Sequence, residues 1–187
     1  MALPLFAALA LAACGQATTG QTWAVSDSSS AAPQSQATFD SGRPQIRFNP
    51  CKDLSPEIVA KAGYDPHKME PSDFDGGTYK FLVCDLTSDL YSLGISSGSI
   101  TLAEQESQQK RDSATKTVTP ITVSGRAGFE ARDPSRPNMC TLAFETSYGE
   151  VLFTRYQREK ATDEGLDVCD GLQQTAATIA AVLPDGA

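Results

Sequence analysis

The chain has 187 residues, with 15 Lys and Arg against 23 Asp and Glu, a formal net charge of -8 at pH 7, and 40% hydrophobic residues. The charged residues of the first fifty positions are Asp27, Asp40, Arg43 and Arg47, which cancel, so the acidity belongs to the rest of the chain. An acidic body lacks the basic stripe that displaces counterions from a phosphate backbone, which excludes nucleic acid as a partner; the length suits one domain with a tail rather than two domains.

The run from Ala2 to Ala13 is apolar and uncharged. It is too short for a spanning helix, which needs roughly 20 apolar residues, and fits a signal h-region of about 7 to 15. It ends in Leu11-Ala12-Ala13-Cys14, which reads as the processing site of a bacterial lipoprotein. The Cys14 sulfur takes a diacylglyceryl group as a thioether, and the small Ala12 and Ala13 let the backbone enter the peptidase that cuts before Cys14. The alternative is a buried helix with a free thiol. No Lys or Arg precedes Arg43, a departure from the usual basic start of a signal peptide. Residues 1 to 13 are thus expected to be a lipoprotein signal peptide. Acyl chains such as palmitate on Cys14 are expected to anchor the mature chain to the extracytoplasmic face of the cell membrane, two chains being enough for lasting attachment.

Residues 14 to 46 are rich in Ser, Thr, Gln and Ala, including Ser28-Ser29-Ser30, and bury too little apolar surface to offset the entropy of ordering them. They read as a disordered tether with a mean reach of about 30 Å. Trp23 and Val25 are its odd residues.

Residues 47 to 187 read as a single domain. It opens with Phe48-Asn49-Pro50-Cys51 and a first helix with Ser55 as N-cap, Pro56 at the first helical position, Glu57 at the positive dipole end and Gly63 as the stop. Thr78 to Leu86 and Leu90 to Ser96 predict a hairpin. Residues 102 to 116 are polar and predict a short exposed helix or a crossing loop. Thr117 to Val123 predicts a strand, broken at Ser124-Gly125 and followed by a short one at 128 to 131. Met139 to Glu145 alternates, with Cys140, Leu142 and Phe144 on one face, and pairs through Tyr148-Gly149 with Val151 to Arg158. A last helix is expected from Asp167 to Leu183, with Leu172, Ala176, Ile179 and Leu183 at helical spacing. Consecutive short strands between two terminal helices predict an α+β fold, an antiparallel β-sheet meander bracketed by an N-terminal and a C-terminal helix.

Four further cysteines, Cys51, Cys84, Cys140 and Cys169, form an even set in an exported chain and predict two disulfides, with buried free thiols as the alternative. Cys84 and Cys140 lie in strands, while Cys51 and Cys169 open terminal helices. If like elements adjoin, Cys84 pairs with Cys140 and Cys51 with Cys169. No CxxC spacing and a single histidine, His67, argue against a metal site, and no cofactor is expected.

Phe48-x-Pro50-Cys51, the following Leu54, the mid-chain Cys84, Gly125-Arg126 leading a strand, Cys140 in a strand and Cys169 before the last helix together resemble a family of small actinobacterial cell-envelope lipoproteins known only as a domain of unknown function. The resemblance covers about residues 46 to 184. It implies an envelope location and supplies no activity, cofactor or catalytic residue.

No Gly-x-Ser-x-Gly elbow or phosphate-binding glycine loop occurs, and Gly125-Arg126-Ala127-Gly128 reads as a turn. His67 reads as an exposed loop residue. Asp73-Phe74-Asp75-Gly76-Gly77 reads as a turn lacking the glutamate of a calcium loop, and Asp163, Glu164 and Asp167 as a solvated, helix-capping acidic run. With no assembled catalytic set, the expected function is a non-catalytic binding or accessory protein of the envelope. Its partners are expected to be membrane lipid through Cys14 and an envelope protein or hydrophobic small molecule. The alternative is a carrier holding a lipid or other hydrophobic ligand in a cavity between sheet and C-terminal helix.

Overall fold

A computed structural model describes residues 42–113 and 115–184. Cys14, Trp23, Val25, the signal peptide and most of the tether lie outside the described residues. The described chain runs in the order α1 (Pro50–Asp53), α2 (Pro56–Lys61), β1 (Met69–Pro71), β2 (Phe74–Asp75), β3 (Lys80–Thr87), β4 (Tyr91–Gly98), α3 (Leu102–Asp112), β5 (Thr117–Val123), β6 (Arg126–Arg132), β7 (Met139–Thr146), β8 (Gly149–Gln157), α4 (Glu159–Asp163) and α5 (Leu172–Ala180).

All strand pairs are antiparallel, and the sheet reads β1-β3-β4-β8-β7-β6-β5, with β2 also on β3. It is the expected antiparallel sheet with helices at both ends. The β5–β6 turn is Ser124-Gly125, both with positive φ (50° and 82°), which joins Val123 to its partner Arg126 through two residues. Proline is kept to the two outer strands, Pro71 in β1 and Pro120 in β5, where a missing N–H costs no ladder bond.

The main core lies on the face of β7 that carries Cys140, Leu142 and Phe144, against Val151 and Phe153 of β8 and Leu172, Ala176 and Ile179 of α5. Each of these side chains is fully buried, and Phe144 and Phe153 have ring centroids 5.8 Å apart. At these residues the space between sheet and C-terminal helix, where the carrier reading expects a cavity, is filled by packed side chains. The opposite face, with Phe129, Ala131 and Ala143, is covered by α3 through Leu102. The segment 102 to 116 thus forms a helix over 102–112, started by a capping box between Thr101 and Glu104.

Three expectations need correcting. The pairing of cysteines is Cys51 with Cys84 and Cys140 with Cys169, not strand with strand and helix with helix. Two strands, β4 and β8, lie between β3 and β7. Cys84 and Cys140 are accordingly about 14 Å apart at ladder spacing, beyond the roughly 7 Å that a disulfide spans. Cys51 of α1 and Cys169 of the turn before α5 each sit instead over a strand cysteine, with Cα separations of 5.0 and 5.3 Å. The last helix starts at Leu172 rather than Asp167, because Gly171 has φ 72° and breaks the helical path before it. The acidic run is not simply solvated: Asp167 accepts two bonds from Arg132 Nη1 (2.9 and 2.7 Å) and one from the Cys169 amide (2.7 Å).

Of the tether segment, residues 42 to 46 are described. Arg43 forms a two-pronged bond to Glu104 (3.0 and 2.8 Å) and Ile46 is buried in the main core.

Candidate functional site

The α2 helix ends in two backbone bonds, Gly63 N–H to the Ala60 carbonyl (3.0 Å) and Tyr64 N–H to the Val59 carbonyl (3.1 Å), closed over Gly63 at φ 91°. This is the Schellman stop expected at Gly63, and its geometry turns the next residue, Tyr64, into the molecule. Tyr64 is only 6% exposed, yet its hydroxyl oxygen has no hydrogen-bond partner. Burial pushes that hydroxyl up to about 12, with the Arg155 cation acting in the opposite sense.

Arg155 belongs to β8 on the face shared by Val151 and Phe153, and is 3% exposed. Its Nε donates to the Val168 carbonyl and its Nη2 to the Asp170 carbonyl, both at 2.6 Å. Its guanidinium lies 4.4 Å from the centre of the Tyr91 ring, a cation–π distance. A buried charge needs such satisfaction, and here it is supplied by neutral carbonyls and a ring rather than a carboxylate. These bonds, together with one from the Gln157 side chain to the Leu166 carbonyl, fasten the disulfide-bearing segment 166–170 to the sheet.

Tyr64, Tyr91 and Arg155 line one open cleft of about 530 Å³, completed by Leu90 of the β3–β4 turn, Lys160 of α4 and Thr175 of α5. Its volume falls in the range of small-molecule sites, and it combines an apolar wall with a few convergent polar groups. A second hollow of about 570 Å³ lies over α3, but there Arg43 and Glu104 satisfy each other.

The sequence-derived site residues fare unevenly. Cys51, Cys84, Cys140 and Cys169 all form disulfides. Among the described residues the metal-capable group that comes together is Glu130, Cys140 and Cys169, within 4.8 Å. Its two sulfurs are bonded to each other, and Glu130 accepts from Arg132 (3.0 Å). His67 is exposed in a loop, its amide bonded to Asp65 (2.9 Å). In the 73–77 segment, Asp73 takes the Val83 amide (2.8 Å), while Asp75 takes the Gly77 amide (3.0 Å) and pairs with Lys80 (2.9 Å), so these carboxylates serve the local turn. The cleft itself had one sequence signal: an arginine in phase with the core residues of its strand.

A family model described as a protein of unknown function, DUF3558, matches residues 9–181. The chain belongs to the DUF3558 family. No curated protein and no solved structure matches it. Membership in DUF3558 assigns no chemistry to the cleft, whose reading rests on its own geometry.

Proposed function

We propose that this DUF3558 protein is a non-catalytic binding or accessory protein of the bacterial cell envelope, held by acyl chains on Cys14 to the outer face of the cytoplasmic membrane, and that it binds a small ligand in the cleft between α2, β8 and α5. The observation that carries the binding reading is the Tyr64 hydroxyl, buried, without a partner, and lining a cleft beside an arginine. An unpaired buried hydroxyl costs about 1 to 3 kcal/mol, a cost that a ligand able to bond it removes. The anchor is supported by the Leu11-Ala12-Ala13-Cys14 sequence and by a family match that begins ahead of Cys14. Among the described residues no helix is long and apolar enough to cross a membrane.

Native mass spectrometry of the protein released gently from its own membrane tests the binding reading. A ligand-bound species that disappears in a Thr175→Trp variant of retained fold is expected; ligand-free protein throughout counts against it. Mass analysis of the mature N-terminal peptide tests the anchor, and an unmodified Cys14 removes it.

A further inference from the structure

The inner end of the cleft gathers positive charge in a protein whose net charge is -8. Arg155 spends Nε and Nη2 on carbonyls, and its guanidinium also faces the Tyr64 hydroxyl. Lys160, exposed on α4, lines the same space. So does Gly171, the N-cap of the nine-residue α5, which offers no capping side chain; the Leu172 amide bonds the Cys169 carbonyl (3.0 Å), and no acidic residue in the first turn offsets the positive end of the helix dipole. One carboxylate, Asp89, also lines the cleft. The buried Tyr64 hydroxyl adds a neutral donor. Facing this end are the apolar surfaces of Ala62 and Leu90 and the Tyr91 ring.

Resting on the cleft as the binding site, we infer that the ligand is a small amphiphilic anion, whose carboxylate or phosphate head sits against the Arg155 guanidinium, the Tyr64 hydroxyl and the positive end of α5, and whose apolar body lies against Leu90 and Tyr91. Arginine suits both heads, since its planar N–H groups match oxyanion geometry. A neutral ligand leaves the Arg155 guanidinium and the helix end without a counter-charge.

Isothermal titration of the purified full-length protein separates the possibilities with three probes of one shape: hydrocinnamate, phenyl phosphate and the neutral hydrocinnamamide. The expected result is that at least one anion binds about tenfold or more tighter than the amide, a difference of about 1.4 kcal/mol. A carboxylate preference points to an organic acid and a phosphate preference to a phosphomonoester, and both support the inference. Lys160→Gln is expected to weaken anion binding by about twofold to fivefold and to flatten its salt dependence. Tyr64→Phe is expected to weaken it while leaving the unliganded protein as stable or more so, because the deleted hydroxyl has no partner to lose. A purely structural Tyr64 moves stability and leaves affinity unchanged. Equal binding of anions and amide overturns the inference and leaves the cleft a ligand site. Anion binding indifferent to both substitutions overturns it too, by placing the anion elsewhere. No binding of any probe overturns the inference and the cleft reading together.

Discussion

Glu150 is the least accommodated residue of the fold. It is fully buried at the start of β8, and neither carboxylate oxygen has a hydrogen-bond partner. Burial, with the nearby charge of Glu104 adding to it, pushes its carboxyl well above the ordinary value of 4.5. A raised folded value means that Glu150 favours folding fully below its ordinary value, and that this contribution is lost as pH rises through the folded value. Glu104 and Asp133 act in the opposite sense. Bonds from Arg43 and from Ser135 respectively hold both carboxyls down to about 2, so their contribution is present above 4.5 and 3.8 and is lost as pH falls toward 2. Glu150→Gln should therefore raise unfolding free energy at about pH 8 by about 1 to 3 kcal/mol and change it far less near pH 4. Urea unfolding at the two pH values checks this, and an equal effect at both refutes it. In the sequence Arg155 is a charge inside the expected strand 151–158, and Glu150 lies just ahead of it. The parity of Val151 and Phe153 is a signal that puts Arg155 on the core face, but no pattern announces that Tyr64, one residue past a helix stop, meets it.

The elements were legible where local chemistry specifies them. Ser55, Pro56 and Gly63 bound α2, and the alternation of Met139 to Glu145 marks β7. The disulfides were not legible in the same way, because they follow strand order, which consecutive sequence does not carry. The insertion of β8 between β4 and β7 separates the two strand cysteines. Each bridge now closes a loop of about thirty residues, with separations of 33 and 29. Replacing Cys51 and Cys84 together with Ser, or Cys140 and Cys169 together, should cost about 3 to 4 kcal/mol in either case on the chain-entropy view. Unfolding midpoints measure the cost, and non-reducing peptide maps should return those two pairs. A third constraint sits at the β7–β8 turn. Gly149 has φ 148°, and a Cβ there would collide with the carbonyl oxygens of Gly98 and Ile100. Gly149→Ala should thus lose about 2 kcal/mol or more, read as a lowered melting temperature; an unchanged melting temperature would contradict the close approach.

For the whole molecule, composition alone separated an almost neutral leading segment from an acidic body, and the class α+β followed from strands in succession. It could not show that the sheet's two faces differ in kind. One is sealed by α5 over aromatic and aliphatic side chains. The other is covered by α3, whose buried positions include Gln105 and Gln109. The polar character of 102 to 116, which reads as exposure, here reflects a helix that meets the sheet partly through amides.

The clamp of Arg43 acquires a meaning from where its partners lie. Its Nη1 donates to the Ser99 carbonyl (3.2 Å), just past the last residue of β4, whereas the cleft is walled by Tyr91, the first residue of that strand. Eight residues of strand put about 23 Å between the two. The polypeptide enters the domain at one pole, and the cleft opens at the other. A change at the Arg43 clamp is thus felt first at the α3 end of the sheet, a strand's length away from the residues that wall the cleft.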